Sequence, residues 1–121
     1  MTIEIPGIDA DAGLDLYDGD MDIYLRVLRA YVPAVSKALD KIRNVSAETL
    51  KDYAVSVHGI KSTSNSIGAE ETRMAAKELE LMAKAGDIDG VLAKNEAFIK
   101  KASVLVNNIK SWLEKNDSAA S

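Results

Sequence analysis

Apolar residues return every three or four positions along almost the whole chain, and no stretch alternates apolar with polar as a half-buried strand does. β-branched residues are diluted by Ala, Leu, Lys and Glu, which favour helices. The pattern predicts an all-α protein. After an extended lead-in over residues 1–8, Asp9 is placed to cap a short helix carrying Leu14, Leu16 and Tyr17, with Gly19 to stop it. A helix so short survives only by packing on something longer.

From about Asp20, the positions Met21, Tyr24, Leu25, Leu28, Tyr31, Val32, Val35, Leu39 and Ile42 trace one stripe that ends at Asn44. Pro33 lies within it. Proline removes an amide donor and clashes with the preceding turn, so a kink or break is expected near residues 30–32, and the unbroken phase of the stripe favours a kink. Ser46 is a suitable cap for a third helix with the stripe Leu50, Tyr53, Ala54, Val57, Ile60, Ser64 and Ile67, ended by Gly68. A fourth runs from about Glu70 to Ala85 with Met74, Ala75, Leu79 and Met82 inward, and Gly86 stops it. Asp87 or Asp89 then starts a long helix through Val91, Leu92, Phe98, Ile99, Ala102, Leu105, Val106, Ile109 and Trp112 to Leu113, leaving residues 116–121 as a frayed tail. Four substantial helices on short connections predict an antiparallel up-down-up-down four-helix bundle, a single domain over residues 1–121, with the short N-terminal helix laid across it.

Composition narrows the chemistry. At 121 residues the chain is long enough to bury roughly two thirds of its surface without staples. It has no Cys and one His, which removes disulfides, thiolate zinc sites, iron-sulfur clusters, thiol catalysis and any pair of imidazole ligands, so no metal site is expected. A net charge of -4 is a poor match to a phosphate backbone, so nucleic acid is not the expected partner. Met1 to Pro6 has no basic segment followed by an apolar one, and nowhere do 18 apolar residues run together; a cytoplasmic protein with no membrane span is expected.

The single histidine, His58, lies about 100° round the third helix from Val57, beyond the edge of the apolar stripe. Lys61, Asn65, Lys51, Ser62 and Val55 surround it on the helix surface, and none is a carboxylate. An accessible imidazole on a rigid element, beside small side chains and ammonium groups, suits acceptance of an anionic group. Imidazole has an unperturbed pKa of about 6.5, so its neutral form is partly available as a nucleophile, and neighbouring lysines favour that form. Neither a G-x-x-x-x-G-K nor a G-x-G-x-x-G pattern occurs, so a phosphoryl group would have to come from a partner.

The segment His58-Gly59-Ile60-Lys61-Ser62 through Ile67-Gly68-Ala69 resembles the signature of histidine-containing phosphotransfer (HPt) domains, roughly His-x-Leu-Lys-Gly-Ser-x-x-x-Ile-Gly-Ala. The lead-in Ile5-Pro6-Gly7-Ile8-Asp9, with Gly13-Leu14 and Gly19-Asp20 after it, is similar to that of many bacterial members, so the resemblance spans nearly the whole chain. It implies a four-helix bundle in which His58 is the phosphoacceptor, Lys61 assists the phosphoryl group, and Gly68 is the glycine near the motif's end. Ser62 stands where the family often has Gly, and Asn65 where a small residue is common, so Asn65 bears on which partners fit or on hydrogen bonding at the imidazole. The implied reaction passes a phosphoryl group from a receiver domain's aspartyl phosphate to His58 Nε2 and on to another receiver. The implied partners are receiver domains of hybrid histidine kinases and response regulators. The chain is then expected to be a monomeric carrier with no cofactor and no autokinase activity, Mg²⁺ belonging to the receiver. Val55, close to His58 and off the core stripe, is the candidate docking residue, with Ile23 and Val27 further candidates.

Two other classes compete. A helical-bundle adaptor would leave His58 incidental, and a hydrolase or lyase would need a nucleophile-base pair that the sequence does not display. Met74 and Met82 read as core filler, and Trp112 as a residue buried near the bundle end.

Overall fold

In a computed structural model of the chain, which describes residues 2–116, five α-helices are present and no strand occurs among the described residues. They are α1 (Ala10–Asp15), α2 (Met21–Ile42), α3 (Leu50–Asn65), α4 (Glu70–Lys84) and α5 (Ile88–Asn116). None is long and apolar enough to cross a membrane.

Local chemistry accounts for most boundaries. Asp9 and Asp20 cap α1 and α2 by accepting from the amides of Ala12 and Ile23. Gly86, at φ +75°, ends α4 as its amide and that of Asp87 turn back to the carbonyls of Ala83 and Met82. Of the two candidate starts for α5, Asp87 is used: its Oδ1 accepts from the Gly90 amide at 2.9 Å. The helix runs past Leu113 to Asn116, whose side-chain amide donates to the Trp112 carbonyl. Of the expected frayed tail, residue 116 is therefore helical and 117–121 lie outside the described residues.

One expectation needs correction. Ser46 does not cap α3; the helix starts at Leu50 after a turn in which Thr49 Oγ1 accepts from the Ser46 amide at 2.9 Å. Of the two outcomes expected at Pro33, the break is absent, as the unbroken phase of the stripe favoured: α2 continues to Ile42. An interior proline costs about 3 kcal/mol, but the fully buried Tyr31 and Val35 on either side fix both halves against the core.

One apolar cluster draws on every long helix. It is built from Tyr24, Leu28, Tyr31 and Leu39 of α2, Val57 and Ile60 of α3, Ala76 and Leu79 of α4, and Val91, Ala102 and Ile109 of α5. α2 packs against α3 and α5, and α4 against the same two. The extended lead-in contributes Ile3 and Ile5. In α4 the buried face is Ala76, Leu79, Glu80 and Ala83, so Met74 lies outside it and is half exposed, while Met82 and Trp112 are only partly covered. Leu16 and Leu92, which the stripes placed inward, are also exposed.

The end of α3 is fastened by the N-terminal segment. Helix termini leave carbonyls without intrahelical partners. Here the Ser66 carbonyl accepts from Tyr17 Oη at 2.8 Å, that of Ile67 from Tyr24 Oη at 2.7 Å, and that of Gly68 from the Asp9 amide at 2.9 Å. Tyr31 Oη adds a 2.9 Å bond to the buried Ser64 hydroxyl. Burial pushes the phenols of Tyr24 and Tyr31 up to about 12, so both stay protonated and Tyr24 keeps its proton for the Ile67 carbonyl.

Gly68 makes this approach possible. At φ +80° it occupies the left-handed region, and a Cβ there would lie 2.3 Å from the Asp9 carbonyl oxygen. Gly68→Ala is expected to lose at least about 2 kcal/mol in urea unfolding. Gly59→Ala, on an open face of α3 with nothing within 4 Å of the new Cβ, is expected to gain about 0.5–1 kcal/mol. Equal effects of the two substitutions would refute this account of the α1–α3 junction.

Candidate functional site

His58 sits mid-way along α3, and its side chain is 56% exposed. The sequence placed it beyond the edge of the apolar stripe with no carboxylate beside it on its own helix. The structure keeps the first statement and supplies a carboxylate from α4. Glu80, only 3% exposed, places Oε2 2.7 Å from His58 Nδ1 and Oε1 2.6 Å from Lys61 Nζ. Lys84 Nζ, one turn further along α4, lies 3.1 Å from Oε2.

This arrangement follows from how α3 and α4 pack. The inner face of α4 reads Ala76, Leu79, Glu80, Ala83, at helical spacing. Small alanines let the helices approach closely, and that brings Glu80 beneath the imidazole. A buried carboxylate must be paired and hydrogen-bonded to be tolerated. Glu80 has three donors on its two oxygens, and no buried side-chain nitrogen or oxygen among the described residues lacks a partner. The Lys61 ammonium above all, with Lys84 and His58 adding to it, outweighs the burial that opposes ionisation and holds the Glu80 carboxyl down to about 2.

The tautomer of His58 follows. An ionised carboxylate accepts only, so Nδ1 carries the proton and donates it to Glu80. In the neutral ring Nε2 then carries the lone pair. Such an arrangement can present that nitrogen as a nucleophile oriented by a buried anion.

The other candidate residues separate into groups. Lys61 is beside His58 but anchored to Glu80, with its side chain 25% exposed. Ser62 and Asn65 are exposed and, with Lys61, Arg73 and Lys77, line an open recess of about 320 Å³. Val55 is 72% exposed and lines a second recess, of about 450 Å³, together with Lys41 and Asp52. Ile23 is exposed and Val27 is partly covered against the core. Gly68 is not with them: ten residues beyond His58, roughly 15 Å along the helix direction, it serves the junction with α1. Among the described residues no group of three or more His, Cys, Asp or Glu side chains is placed to hold a metal ion.

Sequence reasoning missed Glu80 and Lys84. The available signal was an acid at position 80 in step with Ala76 and Ala83; a carboxylate on a core stripe requires a cationic or donor partner from elsewhere.

The pairing has a pH signature. Because the Glu80 pKa is depressed on folding, its stabilisation is fully present above about pH 4.5 and is lost as pH falls through about 2. Discounted for solvent reaching the 63% exposed Lys84, the contribution is on the order of 2 kcal/mol. In urea unfolding, the stability difference between the wild type and Glu80→Gln is expected to shrink between about pH 4.5 and 2. A difference that stays level across that range would contradict the pairing.

Comparison of the chain with known protein families, curated proteins and solved structures yields no match.

Proposed function

We propose that this protein is a phosphorelay intermediate of the histidine-containing phosphotransfer type, which accepts a phosphoryl group on His58 and hands it on. The observation that carries the reading is the His58–Glu80 contact: an exposed imidazole whose Nδ1 proton is committed to a buried carboxylate, leaving Nε2 to react. The HPt-like segment from His58 to Ala69 supports it from the sequence. In this reading the connections at residues 43–49, 66–69 and 85–87 reverse the chain between α2, α3, α4 and α5, giving an antiparallel up-down-up-down bundle with α1 against it.

The donor is an aspartyl phosphate on a receiver domain. The lone pair of Nε2 attacks phosphorus in line, the P–O bond to the aspartate breaks, and the carboxylate leaves with the electron pair. Phosphoryl transfer of this kind depends mainly on positioning and charge. As the N–P bond forms, the ring gains positive charge that is shared with Nδ1–H, where Glu80 meets it; the contact therefore strengthens towards the transition state. Reversal of the same steps onto a second receiver discharges the carrier. Mg²⁺ belongs to the receiver, the compartment is the cytoplasm, and the carrier acts as a monomer without kinase activity of its own.

Incubation with a panel of phosphorylated receiver domains is expected to place acid-labile, base-stable phosphate on the wild type and none on His58→Gln. An unlabelled wild type across the panel would overturn the proposal. Lys61→Ala, which unties Glu80 Oε1, is expected to slow transfer with the helical circular dichroism intact. Loss of the helical signal would instead make Lys61 a residue of the fold.

A further inference from the structure

The three donors to Glu80 are not equivalent. Oε1 serves Lys61 at 2.6 Å, whereas Oε2 is shared by His58 Nδ1 at 2.7 Å and Lys84 Nζ at 3.1 Å. Lys61 is three-quarters covered and Lys84 is 63% exposed. A covered ammonium at short range is costly to move, because its departure would strand a buried charge. A solvent-exposed ammonium on a longer contact is held by little, since exposed pairs contribute at most about 1 kcal/mol. Helical side chains lean towards their own N-terminus, so Lys84 leans back over Glu80 towards the imidazole with which it shares an oxygen.

We infer that Lys84 is the mobile cation of the site: when a phosphoryl group reaches His58 Nε2, Lys84 leaves Glu80 Oε2 and binds a phosphoryl oxygen, while Lys61 stays on Oε1. The inference rests on the phosphotransfer reading and assigns to Lys84 the direct phosphoryl contact that the resemblance gives to Lys61. Charge conservation favours the exchange. Before transfer, Glu80 has two ammonium groups and a neutral ring. As Nε2 bonds to phosphorus, the positive charge arriving on the ring gives Oε2 a new cationic partner on its 2.7 Å contact. Lys84 is released from Oε2 at the moment when negative oxygens appear beside it, so no buried charge is left unpaired at any stage.

A small donor tests this without a cognate receiver. With phosphoramidate, Nε2 attacks phosphorus, the P–N bond breaks and ammonia departs; phosphorus NMR follows phosphohistidine on the wild type, Lys84→Ala, Lys84→Arg and Lys61→Ala. Lys84→Ala is expected to form phosphohistidine about tenfold more slowly, a loss reduced from that of a buried charge-stabilising donor by solvent exposure. Lys84→Arg is expected to restore the rate. Nitrogen-15 NMR of the ring is expected to show Nδ1 protonated in Lys84→Ala as in the wild type. A Lys84→Ala rate indistinguishable from wild type, or a changed ring tautomer in that variant, overturns the role of Lys84 while leaving the phosphotransfer reading in place. Absence of phosphohistidine on the wild type overturns both.

Discussion

The site depends on one buried charge. Glu80 is an acid on the core face of α4, and replacing such a group with an apolar side chain of similar size is often neutral or stabilising for folding. It is tolerated because three donors satisfy its two oxygens, and that network is what shapes the surroundings of His58. Glu80 sets which nitrogen of His58 bears the proton and holds Lys61 on its other oxygen. It also ties the two helices of the site together. Without it, His58 would be an exposed histidine like any other.

The frame that holds α3 against α4 is likewise polar at its critical points. Successive carbonyls at the end of α3 are taken by Tyr17, Tyr24 and the Asp9 amide, all from the N-terminal part of the chain. At the opposite end of the fold, Asn95 of α5 donates to the Ile42 carbonyl at the close of α2 and accepts from Tyr53 of α3. These bonds are directional, whereas apolar packing alone permits helices to slide or rotate. A rotation of α3 by a fraction of a turn would carry His58 away from Glu80, so a register fixed at both ends of the bundle is a condition for the site.

Much of this was legible in the sequence because its causes are local. The five helices, the capping aspartates, the glycine stops and the exposure of His58 and Val55 all follow from periodicity and from residues within a turn or two. What was not legible depended on which helices become neighbours. The helical-wheel account of His58 correctly found no carboxylate beside the ring on α3, and could not see Glu80, 22 residues on, because its presence is a fact about α3 lying against α4. Met74 was misplaced for a related reason: the expected stripe ran through Met74 and Ala75, whereas the face that packs against the neighbouring helices runs through Ala76, Leu79, Glu80 and Ala83. Gly68 was grouped with the site through its motif, and its backbone shows that it serves a left-handed turn against α1 instead.

The charge balance of the cluster completes the physical case. The protein as a whole carries -4, which repels anions at long range. A lone carboxylate beneath the imidazole would add to that repulsion while orienting the ring. Lys61 and Lys84 reverse the local sign: with Glu80 they leave one net positive charge around a neutral ring. The carboxylate thus directs the proton of His58 without its charge being felt by an incoming anion. That separation of orientation from repulsion requires the acid to be buried and the compensating ammonium groups to lie nearer the surface, and the exposures of Glu80, Lys61 and Lys84 rise in that order.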